Sequence, residues 1–111
     1  MRLVTALALL VWLFAAATPG QAETRIALVI GNAGYATARL ANPKNDAEQM
    51  ARALKGVGFD VIKQTDADMA TMRQAFIEFS RRLKRPDSVG VFYYAGHAVQ
   101  VAGQNYLIPI G

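Results

Sequence analysis

The sequence predicts an α/β fold with a mainly parallel sheet, and three observations carry that expectation. Short apolar runs recur at Arg25 to Ile30 (RIALVI), Phe59 to Lys63 (FDVIK) and Ser88 to Ala95 (SVGVFYYA). The two stretches between them carry apolar residues at helical spacing. Gly, Pro and Asn stand at the junctions. Strands alternating with helices favour a parallel sheet joined by right-handed crossovers.

The chain opens on a segment that reads as an export signal rather than as part of the fold. Arg2 is followed by an apolar or small-residue stretch from Leu3 to Ala17, and Gly20-Gln21-Ala22 offers small residues at a cleavage site. Cleavage is expected after Ala22, leaving residues 23–111 as a single domain in a secreted or periplasmic setting. A spanning helix needs about 20 apolar residues, and Pro19 and Gly20 interrupt this run. Contact with the membrane is therefore expected only through the signal segment. Its removal lowers the formal net charge of +4 by one.

Arg25 to Ile30 has aliphatic residues on both parities, as in a strand covered on both faces. Gly31 ends it. Residues 32–44 show little periodicity and form an expected loop of a length that often carries function. A helix is predicted from Asn45 or Asp46, with Asn45 as cap, Glu48 completing a capping box, and Ala47, Met50, Ala51 and Leu54 as its inner face. Gly56 and Gly58 suit its C-terminus. Phe59 to Lys63 follows as the second strand.

Asp68 can cap a second helix whose apolar face is Met72, Ala75, Phe76, Phe79 and Leu83, and Pro86 stops it. Ser88 to Ala95 is the most apolar segment after the signal and is expected at the centre of the sheet. Val99 and Val101, a turn at Ala102-Gly103-Gln104, and Tyr106 to Ile108 predict a short hairpin. The expected order is thus strand-helix-strand-helix-strand-hairpin, an incomplete sheet whose uncovered edge would invite self-association.

Several chemistries find little support. The chain has no cysteine and one histidine, so neither a disulfide nor a thiolate metal site is available and no cofactor is expected. Gly31-Asn-Ala-Gly34 follows a strand but lacks the lysine and hydroxyl of a phosphate loop. The acid pairs Asp46 with Glu48 and Asp66 with Asp68 fall at helix entries, where acids are stabilising. Arg81, Arg82, Lys84 and Arg85 cluster at a helix C-terminus without a groove-reading motif, so nucleic acid is not an expected partner.

His97 is the residue that bears chemistry. It follows the third strand through Gly96, at the carboxyl edge where open α/β sheets place their sites. An imidazole there can carry protons near neutrality. The segment Val91 to His97 (VFYYAGH), with the hairpin ending in Asn105-Tyr-Leu-Ile-Pro-Ile, resembles the histidine-bearing segment of caspase-like cysteine peptidases, including metacaspases and bacterial relatives. Arg25 to Tyr35 (RIALVIGNAGY) and Leu40 to Phe59 (LANPKNDAEQMARALKGVGF) are similar to that family's first strand, loop and helix, in its order.

The resemblance implies a three-layer caspase-like fold, of which residues 23–111 form the N-terminal part, and a Cys-His dyad that hydrolyses peptide bonds. It makes His97 the catalytic histidine. The family's usual Gly-His-Gly reads here Gly96-His97-Ala98, so the Ala98 N–H becomes the implied oxyanion donor, with a methyl that penalises positive φ. It also implies that Asn32, Tyr35 and Arg39 could approach substrate, although plain surface-loop roles suit them equally.

In caspases the nucleophile lies about 50 residues beyond the histidine, and none is present here. Two readings stay open. One is a caspase-like endopeptidase, represented incompletely, that acts on peptides or proteins after basic residues. The other is a non-catalytic binding or assembly module of the same architecture.

Overall fold

A computed structural model of the chain describes residues 23–111, and the expected signal segment at residues 1–22 lies outside the described residues. The elements run β1 (Thr24–Gly31), α1 (Pro43–Gly56), β2 (Asp60–Thr65), α2 (Met69–Leu83), β3 (Ser88–Ala95), β4 (Ala98–Val101) and β5 (Gln104–Leu107). The first three strands form a parallel sheet in the order β2-β1-β3, and β4 pairs with β5 as a separate antiparallel hairpin.

β1 is the centre of the sheet, with Ile26 to Gly31 all buried. Its alternation feeds two layers. Leu28 and Ile30 pack with Ala67, Met72 and Ala75 beneath α2. Gly31 faces α1 instead, where a Cβ would meet the Pro43 carbonyl oxygen and come within 2.7 Å of the Ala47 Cβ. That close approach, not a special φ, is why the strand ends in glycine. Each crossover covers one face of β1, so the three-layer α/β arrangement expected from the sequence is present in its first half.

The strand order corrects one expectation. β3 has the predicted boundaries but lies at the edge, bonded to β1 on one side only among the described residues. Its Val89 and Phe92 are exposed, and Phe92 keeps a tilted ring contact with Phe76 at 5.0 Å. Apolarity along a strand reports how its faces are covered, whereas the centre of a sheet is defined by paired edges.

The start of α1 is a second correction. The helix begins at Pro43, whose fixed φ and missing N–H suit the first helical turn. Asn42 occupies the cap without a side-chain bond, so Asn45 does not cap. Glu48 does not close a capping box either; it reaches Lys63 of β2 at 2.6 Å. The second helix matches its prediction, since the Asp68 carboxylate accepts the Thr71 N–H at 2.8 Å. At the hairpin tip Ala102 and Gly103 both take positive φ, the geometry of a two-residue turn matched to strand twist.

Leu28 is among the largest fully buried side chains. Truncating it should leave a void that neighbouring α2 cannot fill. Leu28→Ala is expected to lower unfolding free energy by about 2–5 kcal/mol, read as a fall in the denaturant midpoint at unchanged slope.

Candidate active site

Open parallel sheets place their sites beyond the carboxyl ends of the strands, and here β1 and β3 are neighbours whose ends, Gly31 and Ala95, lie opposite each other. The segment after β1 and the residues after β3 meet there. A cleft of about 440 Å³ is lined by Tyr35, Thr37, Ala38, His97, Ala98 and Ile108, among others.

His97 is half-buried and held on every side of its backbone. Its N–H donates to the Tyr35 hydroxyl at 3.0 Å. Its carbonyl accepts the Tyr94 hydroxyl at 2.7 Å and the Ile108 N–H at 3.0 Å. Tyr35 in turn donates to the Ile108 carbonyl at 2.8 Å, so the proton on each hydroxyl is taken by a carbonyl while the two oxygens lie 3.1 Å apart. Burial first, and the Tyr35 hydroxyl next, push the Tyr94 phenol well above its ordinary range, which keeps it a donor. Gly96 is what lets both hydroxyls in. A Cβ there would sit 2.6 Å from the Tyr94 oxygen and 2.8 Å from that of Tyr35.

The imidazole is held as well. Nε2 lies 2.6 Å from the Ala38 carbonyl oxygen, and the Tyr35 ring lies against the imidazole at 4.5 Å and 52°. A carbonyl can only accept, so this contact assigns the proton to Nε2 and leaves Nδ1 as the nitrogen able to take or give another. Ala38 takes φ +57 to aim its carbonyl, a left-handed conformation uncommon for alanine.

Ala98 begins β4 beside the same cleft. The Ile108 N–H to His97 carbonyl bond makes Ala98 and Leu107 a non-hydrogen-bonded pair of the antiparallel ladder. The Ala98 N–H therefore points away from β5. Ala98 is not among the positive-φ residues, so its methyl carries none of the penalty expected from the sequence.

A family model described as "Caspase domain" matches residues 24–111. The chain belongs to the caspase-domain family. Human mucosa-associated lymphoid tissue lymphoma translocation protein 1 is 31% identical over 90 residues, and its mouse homolog is 30% identical over the same length. These alignments cover 80% of this chain but 11% of each relative. The chain thus spans about a tenth of the length of these relatives.

The other loop residues divide. Asn32 is fully buried and structural: its carbonyl oxygen accepts the Ala67 N–H at 2.8 Å and its amide points to Met72 Sδ and the Ile108 carbonyl. Tyr35 is buried and supports His97 rather than meeting solvent. Arg39 alone of the three is exposed.

Asp66 was not separable in the sequence from a helix-entry acid, yet it bridges to the loop. One carboxylate oxygen accepts the N–H groups of both Ala33 and Gly34 at 2.9 Å, and the other lies 3.4 Å from Lys44 Nζ. Asp66 itself sits at φ +50, a region that Asp tolerates better than most residues. A second cleft of about 280 Å³ opens at the opposite ends of the strands between Thr24, Asp60, Arg81, Arg82 and Arg85. Glu78 pairs there with Arg81 and Arg82 at 2.7 and 2.8 Å, which fits a solvated helix end.

The Ala33 N–H foremost, then that of Gly34 and the Lys44 ammonium, hold the Asp66 carboxyl below its ordinary value. A depressed acid stabilises the fold above its unfolded pKa of about 3.9 and loses that contribution as pH falls toward the folded value. Asp66→Asn should therefore reduce stability by a constant amount above about pH 5, with the gap to the parent protein closing below about pH 4. Urea melts of both proteins across that range check the sign.

Proposed function

We propose that the chain provides the histidine half of a cysteine endopeptidase centre, acting on peptide or protein substrates. The observation that carries this reading is the fixed imidazole: Nε2 engaged by the Ala38 carbonyl, Nδ1 left to exchange a proton, and the outward Ala98 N–H beside it. The thiolate comes from residues outside this sequence, which has no cysteine.

In that centre the thiolate attacks the scissile carbonyl carbon, and the carbonyl oxygen becomes an oxyanion that the Ala98 N–H can receive. Collapse breaks the C–N bond, and imidazolium His97 gives its Nδ1 proton to the departing amine. Water then attacks the thioester, neutral His97 takes a proton from it, and the C–S bond breaks to release the acid and restore the thiolate–imidazolium pair. The Ala38 carbonyl favours this cycle because it keeps Nε2–H bonded in both charge states. Cleavage after basic residues, export after removal of residues 1–22, and self-association through the open edge of β3 are parts of the same proposal.

A non-catalytic module would need the main-chain pairing for stability, but not the ring contact that fixes the imidazole on the Ala38 carbonyl. On the endopeptidase reading, the reading frame beyond the Gly111 codon supplies a cysteine about 50 residues after His97. Protein containing both residues should hydrolyse Arg- or Lys-ended peptide reporters, with His97→Ala lowering the rate at least about a thousandfold. The 111-residue chain alone should show no turnover. A frame without that cysteine, or hydrolysis indifferent to His97→Ala, would contradict the proposal.

A further inference from the structure

The loop that delivers the Ala38 carbonyl has its own anchor. Leu40 N–H bonds the Ala33 carbonyl at 3.0 Å, so the segment from Gly34 to Arg39 leaves and returns at Ala33. How the Ala33-Gly34 peptide is oriented therefore sets where the whole loop points. The successive N–H groups of Ala33 and Gly34 converge on one oxygen of Asp66 at 2.9 Å each, a small backbone nest closed on a carboxylate. Asp66 is itself fixed, because its own N–H bonds the Gly31 carbonyl at the end of β1 at 2.9 Å.

We propose that Asp66 is a positioning residue for His97: by gripping Ala33 and Gly34 it holds the loop so that the Ala38 carbonyl meets Nε2 and selects the Nε2–H tautomer. The function of that tautomer rests on the endopeptidase reading, but the grip does not. The carboxylate lies two connections away from the imidazole and touches neither it nor the cleft wall at Ala98. Its effect is transmitted through the backbone of residues 33–38.

Other supports do not replace it. Asn32 is tied to Ala95, Ala67 and Ile108, and those bonds fix the chain one residue before the nest rather than its direction afterwards. Tyr35 is held through its hydroxyl, and its N–H returns to the Ala33 carbonyl at 3.0 Å, a bond within the loop that turns with the nest rather than fixing its direction. Without the carboxylate, the Ala33 N–H is left in a buried position with no acceptor, which drives the peptide to rotate toward water. Gly34 fits the same geometry, since a Cβ there would lie 3.1 Å from the second carboxylate oxygen.

His97 is the sole histidine, so its ring nitrogens give unambiguous signals in a ¹⁵N spectrum of the intact chain. At a pH where the ring is neutral, the parent protein should show nearly all Nε2–H. Asp66→Ala should lower the ratio of Nε2–H to Nδ1–H about tenfold, the effect of losing one ordinary hydrogen bond, toward the mixture of a free imidazole. Asp66→Asn retains an acceptor oxygen and should fall between the two.

An Asp66→Ala protein with native amide shifts in β1 and β3 and an unchanged ratio would overturn the proposal. Should Asp66→Ala fail to fold, Asp66→Asn decides, because it keeps the side chain's size while replacing the charged acceptor shared by both N–H groups: a lowered ratio supports the role and an unchanged one refutes it. Peptidase activity is not read in either case, so a failed hydrolysis assay leaves this result standing, and the reverse also holds.

Discussion

The structure around the cleft depends on the immobilisation of one residue's main chain. The His97 N–H and carbonyl both leave the strand ladder of β3, where they would otherwise be satisfied by a neighbouring strand, and are taken over by tyrosine hydroxyls and by Ile108. A polar backbone group half-removed from water costs free energy unless it is paired. Two phenols supply that pairing while adding apolar bulk beneath the cleft. The glycine before the histidine, the segment at Ile108 and the loop after β1 are all arranged around this exchange.

That arrangement follows from topology before any side chain is considered. One crossover carries the chain from central β1 to β2 and the next returns it past β1 to β3, so the carboxyl ends of β1 and β3 lie side by side. The loop of residues 32–42 is free to fold over the end of β3 because α1 does not begin until Pro43. Ala38 exploits that freedom by turning left-handed and presenting its carbonyl to the imidazole. The hairpin then closes the other side, and the pairing parity that starts with His97 and Ile108 leaves the Ala98 N–H facing outward.

Much of this was legible in the sequence, for identifiable reasons. Apolar runs bounded by Gly and Pro fixed the limits of β3, Asp68 announced its helix through a local bond three residues long, and His97 stood out as the single imidazole at a strand end. The family resemblance placed it in a caspase domain, which the match over residues 24–111 shows. Interactions between distant residues were not legible. Asp66 meets Ala33 across 33 positions and Tyr35 meets His97 across 62, and neither leaves a periodic trace. Tyr94 looked like one more apolar residue in SVGVFYYA, although its hydroxyl carries its role. Pro43 overrode the capping signal of Asn45 because a residue with preset φ and no N–H to satisfy begins a helix more cheaply than a side-chain cap two residues later.

The His97 N–H is locked by a tyrosine hydroxyl rather than by a strand partner, and amide hydrogen exchange at His97 tests this most directly. Slow exchange is expected at this N–H, comparable to neighbouring β3 amides, with a marked loss of protection in Tyr35→Phe, which removes the accepting oxygen together with its bond to the Ile108 carbonyl. Rapid exchange at His97 in the parent protein, or protection that survives Tyr35→Phe undiminished, would contradict it.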